Sequence, residues 1–315
     1  PGVQPGPQGT APLTTPLAGA LPGTTRLGEV VQGPLGVQLD QLVRARTAAE
    51  APFTGSVLVA KGGQILLNKG YGIADASLNT SVSPDAVWDW ASVSKQFCAA
   101  AILKLKMQER LAIDDPLSRF FPEAPADKRA VTLRHLMSHT SGLNESYDQA
   151  RPAGDSRDAI IAAWLAQPLS FAPGSRWQYN NVNYFILAAV VEKASGQSFE
   201  TYSITNLFRP AGMTEAAFTG MPGVDLARLP RENRGRGEQW SQGPYFGWGS
   251  KGATGACCTT AEMLAWDRAL RGTTILDEPA KAELFKEVRD GYALGWFLSQ
   301  DGAERVLSHG GSTGA

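Results

Sequence analysis

Ser92-Val93-Ser94-Lys95 is the stretch on which the reading of this chain turns. It sets a hydroxyl and an amine three residues apart. Residues i and i+3 share one face of a helix, so Ser92 and Lys95 can touch. Ala86-Val87-Trp88-Asp89-Trp90-Ala91 before it reads as a short extended approach, and Gln96 to Leu105 after it reads as a helix rich in Ala, Ile and Leu. No charge falls between Phe97 and Leu103, so this helix is expected to be buried nearly all round. A buried lysine loses hydration, and its pKa falls toward the range where the amine accepts a proton. A serine at a helix start sits among unpaired backbone N–H groups that favour developing negative charge. Serine is a weak nucleophile without a base in hydrogen-bond reach, and this spacing supplies one.

A lone S-x-x-K recurs by chance, and its company gives it weight. About 85 residues later comes Trp177-Gln178-Tyr179-Asn180-Asn181-Val182-Asn183-Tyr184, and about 130 after that His309-Gly310-Gly311-Ser312-Thr313-Gly314. In this order and at these separations the three motifs resemble the serine β-lactamase and penicillin-binding-protein superfamily, in its class C-like branch of esterases, peptidases and β-lactamases. Leu111-Ala112-Ile113-Asp114-Asp115-Pro116-Leu117, Phe120-Phe121-Pro122-Glu123 and the run from Val131 to Leu143 are similar to further landmarks of that superfamily. So are Leu207 to Thr214 and Gly291-Tyr292-Ala293-Leu294-Gly295-Trp296. The resemblance runs from about Leu39 to the last residue.

It implies an α+β fold, an antiparallel sheet flanked by helices plus a mostly helical lobe. Strand-like segments at both ends of the chain, with helical ones between, agree with that layout. Residues 1–34, rich in Pro, Gly, Thr and Ala, read as a linker. Residues 35–315 read as the hydrolase-like domain, with its sheet part at about 35–89 and 287–315 and its helical part at about 90–286. Val37, Leu39, Leu42 and Val43 recur at helical spacing between about Gly36 and Ala51. Gly55 to Ala60 and Gln64 to Asn68 read as a hairpin about Gly62-Gly63. Tyr292 to Leu298 and Glu304 to Ser308 read as two closing strands. The resemblance implies further strands and a helix beyond Ala315, so the chain is expected to be a fragment of a longer product.

The 315 residues carry 29 Lys and Arg against 30 Asp and Glu, and 43% are hydrophobic. That near-neutral balance gives no electrostatic footprint for nucleic acid or an anionic membrane. No apolar run is long enough for a transmembrane helix. Three cysteines do not make a disulfide framework. Cys98 is expected in the core, and the adjacent Cys257 and Cys258 in a small-residue turn before a helix. An N-terminal tether of this composition suits an exported protein, so a periplasmic or secreted location is favoured. Oligomeric state is left open.

Ser92 is the candidate nucleophile and Lys95 its base or base partner. Tyr179 is a second candidate base, since a phenol near an ammonium is expected to have a lowered pKa; which of the two takes the first proton stays open. Asn181 offers an amide to Lys95 and to a substrate carbonyl; Asn180 between them reads as structural. His309 and Gly311 would line one wall of the cleft, the glycine letting a ligand approach the backbone. By resemblance the backbone N–H groups of Ser92 and Ser312 form an oxyanion hole. Dedicated β-lactamases usually carry a lysine where His309 stands, and a histidine is largely neutral near pH 7. His135 and His139, four apart, lack the adjacent glutamate and third ligand of a metal site and read as packing a turn. Trp240, Tyr245, Phe246 and Trp248 form a cluster of either cleft wall or loop packing.

The resemblance thus implies a serine hydrolase working through an acyl-enzyme, with no metal or organic cofactor. Its substrates would be small esters, peptides or β-lactams: a broad esterase first, then a D-alanyl-D-alanine carboxypeptidase, then a β-lactamase. The alternative of another class is a non-catalytic sensor or binding module on the same fold.

Overall fold

The computed structural model describes residues 26–48, 52–145, 156–219, 221, 230 and 251–312. Strand β1 (Val30–Val31), helix α1 (Gly33–Thr47) and the hairpin of β2 (Gly55–Lys61) and β3 (Gln64–Tyr71) build an antiparallel sheet in the order β1-β3-β2. The Gly62-Gly63 turn sets its register, with Lys61 opposite Gln64 and Gly55 opposite Tyr71. Val30 and Val31 pair with Asn68 and Leu67. Residues 30–34, expected in the linker, lie instead in β1 and at the start of α1. Helix α1 opens at Gly33, three residues early, because Pro34 supplies a preset φ in its first turn. Its expected packing face is also corrected: Val37 and Leu42 are exposed, and the helix meets β3 around its buried Gly36.

A small hairpin, β4 (Ile73–Asp75) with β5 (Thr80–Ser81), leads to β6 (Trp88–Asp89). Ala91–Ser94 then form one 3₁₀ turn that runs straight into α2 (Lys95–Met107). This helix is the spine of the molecule: Phe97 to Leu103 are all wholly buried. Short α3 (Leu133–Met137), α4 (Arg157–Ala166), the equally apolar α5 (Asn181–Ser195) and α6 (Phe199–Ser203) follow. α5 packs on α2, α3 and α6. Phe97 meets Phe208 and Trp266 edge to face, each with ring centroids 4.9 Å apart. Truncating such a side chain to Ala costs about 3–5 kcal/mol.

β7 (Ala217–Phe218) and β8 (Ala256–Cys258) pair with β6 in the order β6-β8-β7. Cys257 and Cys258 thus lie on a strand, not in a turn, and all three cysteines are free and buried. α7 (Thr260–Arg271), opened by the Thr259–Glu262 capping box, and α8 (Glu278–Leu284) complete the helical part. The closing hairpin is β9 (Phe297–Asp301) with β10 (Glu304–Ser308). β9 starts five residues later than expected. The peptide groups around Tyr292 are spent on turns, its carbonyl accepting the N–H of Val288, which draws Tyr292 into the core instead. The fold is α+β. Among the described residues no helix is long and apolar enough to cross a membrane, and the cluster of Trp240, Tyr245, Phe246 and Trp248 lies outside them.

Candidate active site

The turn that presents Ser92 is pinned from both sides to β8. Trp90 donates its N–H to the Ala256 carbonyl at 2.9 Å, and Ser94 Oγ accepts the Ala256 N–H at 3.0 Å. Between these anchors Ala91 holds φ +44°, a left-handed conformation that costs a residue with a β-carbon about 1–3 kcal/mol. Asp89 supports it, accepting the Ala91 N–H on Oδ1 at 2.7 Å and a second backbone N–H from Gly255. Burial outweighs those hydrogen bonds and pushes the Asp89 carboxyl up to about 6.

Lys95, wholly buried, extends from the first turn of α2. Its Nζ lies 3.0 Å from Ser92 Oγ, 2.7 Å from Asn181 Oδ1 and 3.0 Å from the Ala253 carbonyl. Desolvation brings its pKa down to about 7, against the opposing influence of Cys98 and Glu145. Two of these three partners can only accept. Ala253 presents a carbonyl. Asn181 is oriented by Glu145, whose Oε1 takes its backbone N–H at 3.3 Å and its Nδ2 at 3.4 Å, leaving Oδ1 for the lysine. A neutral amine spends its two hydrogens on those acceptors, and its lone pair then faces the Ser92 hydroxyl.

Tyr179 lies beside this pair, with Nζ of Lys95 4.8 Å from its ring centroid and a side-chain hydrogen bond to Ser92. The expected fall in its pKa is corrected: burial pushes the phenol up to about 12, Glu145 adds to the rise, and only the Ser92 bond opposes it. The lysine sits over the face of the ring, and near neutral pH it is itself losing its charge. Asn180 caps α5, accepting the Val182 N–H at 2.8 Å and giving Nδ2 to the Leu143 carbonyl at 2.7 Å.

The two spaced histidines serve different networks. His135 closes the capping box of α3 with Thr132. His139 is buried beneath Tyr179, its Nδ1 accepting from the Asn180 N–H at 3.1 Å. Desolvation first, then the charge of Lys95, holds it well below the usual imidazole range.

After β10 the chain passes directly over the nucleophile. A β-carbon on Gly311 would stand 2.6 Å from the Trp90 carbonyl oxygen and 3.1 Å from the Ser92 nitrogen. Glycine here lets the backbone itself come close. Ser312 follows immediately. His309 stands with its ring centroid 6.4 Å from that of Tyr179 and is held neutral by burial, its pKa pushed down to about 4.

The structure thus gathers Ser92, Lys95, Tyr179, Asn181, His309 and Gly311 in one place. It adds Glu145, Asp89, the Ala253 carbonyl and Tyr292, none of which the motifs singled out. Ala253 reaches Lys95 because Gly252, at φ +78°, runs so close to α5 that a β-carbon would lie 2.5 Å from the Tyr184 carbonyl oxygen. Glu145 and Tyr292 stand in or beside landmark segments, a signal of place without a role. Among the described residues no group of His, Cys, Asp and Glu could hold a metal ion.

The family model described as Beta-lactamase matches residues 27–315. Penicillin-binding protein 4* of Bacillus subtilis (strain 168) is 30% identical over 290 residues, covering 82% of this chain and 63% of that protein. The octameric penicillin-binding protein homologue from Pyrococcus abyssi superposes with a TM-score of 0.72 at 21% identity, over 90% of this chain and 69% of that one. The D-amino acid amidase from Ochrobactrum anthropi SV3 does so with a TM-score of 0.68 at 18% identity, over 82% and 79%. At such identities the structures share the fold. The chain spans from about a third to under two thirds of the length of the curated relatives it matches.

Proposed function

The chain belongs to the Beta-lactamase family, and on that premise we propose that it is a serine hydrolase which cleaves ester or amide bonds through an acyl-enzyme on Ser92. The observation that carries this reading is the 3.0 Å contact of Lys95 Nζ with Ser92 Oγ, beside two other partners, Asn181 Oδ1 and the Ala253 carbonyl, that can only accept. As Oγ attacks the carbonyl carbon, its proton passes to Nζ. The carbonyl oxygen gathers charge beside the N–H groups of Ser92 and Ser312, where one donor contributes about 3 kcal/mol. Tyr179, a phenol at neutral pH, gives its proton to the leaving oxygen or nitrogen. In deacylation water attacks the acyl carbon, its proton restores Tyr179, and the lysine returns the first proton to the departing Ser92 oxygen. Protons and charges balance over the cycle.

A broad esterase is the first reading of substrate, because His309 is neutral and offers no fixed cation for a substrate carboxylate. The name of the 30% identical relative, a penicillin-binding protein, supports a second reading, D-alanyl-D-alanine peptides or β-lactams. Turnover of p-nitrophenyl esters, a D-Ala-D-Ala peptide and nitrocefin by the wild type and Ser92→Ala tests both. Ester turnover is expected to be fastest and to vanish in Ser92→Ala. Peptide or nitrocefin turnover in excess of ester turnover would replace the first reading by the second. Ester hydrolysis retained in Ser92→Ala would refute the nucleophile. A stable acyl adduct with no turnover would identify a sensor.

A further inference from the structure

Tyr292 is wholly buried in the loop before β9, and its hydroxyl oxygen lies 3.1 Å from Nε2 of His309. Nδ1 of the same ring is 2.6 Å from the Gly310 carbonyl oxygen. A carbonyl can only accept, so Nδ1 carries a hydrogen. In the neutral imidazole Nε2 then holds the lone pair, and Tyr292 must be the donor. With the ring neutral, the Gly310 carbonyl sets its tautomer, and the Tyr292 hydroxyl meets the Nε2 lone pair.

Adding a proton to His309 would aim an Nε2–H at the Tyr292 oxygen and turn the tyrosine's own hydrogen away. Inside the core that hydrogen has the Tyr184 side chain to turn to, whose hydroxyl already donates to the Met137 carbonyl at 2.7 Å. Burial and the charge of Lys95 disfavour a cation on this ring, against the Gly310 carbonyl, whose hydrogen bond favours it. His139 is itself held neutral by burial, and Tyr179 and Phe297 present aromatic rings, at 6.4 and 5.2 Å between centroids. Among the described residues no carboxylate acts on the ring.

We propose that Tyr292 is a specificity-determining residue of the hydrolase reading given above: by donating to Nε2 it holds His309 as the neutral Nδ1–H tautomer with neither ring nitrogen free for the substrate, and so selects acyl compounds that carry no carboxylate beside the scissile bond. Tyr292 acts through His309 and need not touch the substrate. A lysine in the place of His309 would offer a charge and three hydrogens; this ring offers neither.

Tyr292→Phe removes the hydroxyl and keeps the ring. The chain has three histidines, so NMR of imidazole nitrogens in the full chain, with His309→Gln for assignment, follows His309 directly. At pH 7 the wild type is expected to show Nδ1–H and an unprotonated, hydrogen-bonded Nε2. In Tyr292→Phe the His309 titration moves up by about one pH unit, the worth of one lost hydrogen bond to the neutral form. The same variant raises kcat/KM for carboxylate-bearing nitrocefin relative to a neutral p-nitrophenyl ester about tenfold at pH 6, chiefly by lowering KM for nitrocefin. An Nε2–H tautomer in the wild type, an unmoved titration in the variant, or an unchanged substrate ratio would overturn the proposal. Absence of turnover by either protein would overturn the hydrolase reading instead, and the spectra would still decide the tautomer.

Discussion

Nζ of Lys95 lies 3.0 Å from Oγ of Ser92, and of its three hydrogen-bond partners among the described residues Ser92 alone has a hydrogen to offer. The buried lysine is therefore aimed as well as neutralised: desolvation lowers its pKa to about 7, and the two acceptors choose the direction of its lone pair.

Glu145 sets both properties at once. Its negative charge raises the pKa of Lys95 and of Tyr179, and its Oε1 orients Asn181. Neutralising it as Glu145→Gln is expected to move the acid limb of kcat/KM to lower pH, because less proton affinity is left on Lys95. A pH–rate profile of the variant checks this; a limb that stays in place or rises contradicts it.

Tyr179 is held as a phenol, its pKa pushed up to about 12, which suits a donor to the leaving group. Tyr179→Phe should cost alkyl esters and amides about 10²–10⁴-fold in kcat, the usual worth of a positioned acid or base. p-Nitrophenyl esters, whose leaving group needs no proton, should lose far less. Equal losses for good and poor leaving groups would assign Tyr179 to the attack step.

Those features divide by range. The Ser92–Lys95 contact was legible because i, i+3 geometry is local, and the buried α2 because Phe97 to Leu103 carry no charge. Asn181 followed from its place two residues after Tyr179. Glu145 acts on a residue 36 positions away and Asp89 on a strand near residue 256, and no spacing announces either. The pairing of Val30 with Asn68 was hidden in the same way, behind Pro- and Gly-rich sequence. The direction of the Tyr179 shift was missed because the sequence shows a neighbouring lysine but not the burial of the phenol.

Gly311 brings the chain onto the nucleophile turn. Gly311→Ala puts a methyl 2.6 Å from the Trp90 carbonyl oxygen, so the segment after β10 must retreat from Ser92. We expect kcat to fall at least about tenfold, the loss of 1.4 kcal/mol in the transition state, with melting little changed. Unchanged kcat would separate this segment from the oxyanion site.

Asp89 trades stability for the shape of that turn. Its folded carboxyl titrates at about 6, above its ordinary value of 3.8. The folded state thus binds this proton more tightly. The group's stabilising contribution is complete below about pH 4 and is lost as pH rises through 6. At pH 7.5 Asp89→Ala should therefore cost little in melting temperature, while kcat falls because Ala91 is released. Calorimetry and kinetics on one preparation read both; a large drop in Tm with kcat intact would reverse the argument.

The rate at which a fluorophosphonate labels the wild-type chain, followed by intact mass and peptide mapping across pH 5 to 9, tests the pairing of Ser92 with Lys95 most directly. The expected result is a single adduct on Ser92 whose rate of formation climbs with pH through about 7, as Lys95 gives up its proton. An adduct elsewhere, or a Ser92 rate indifferent to pH over that range, would contradict it.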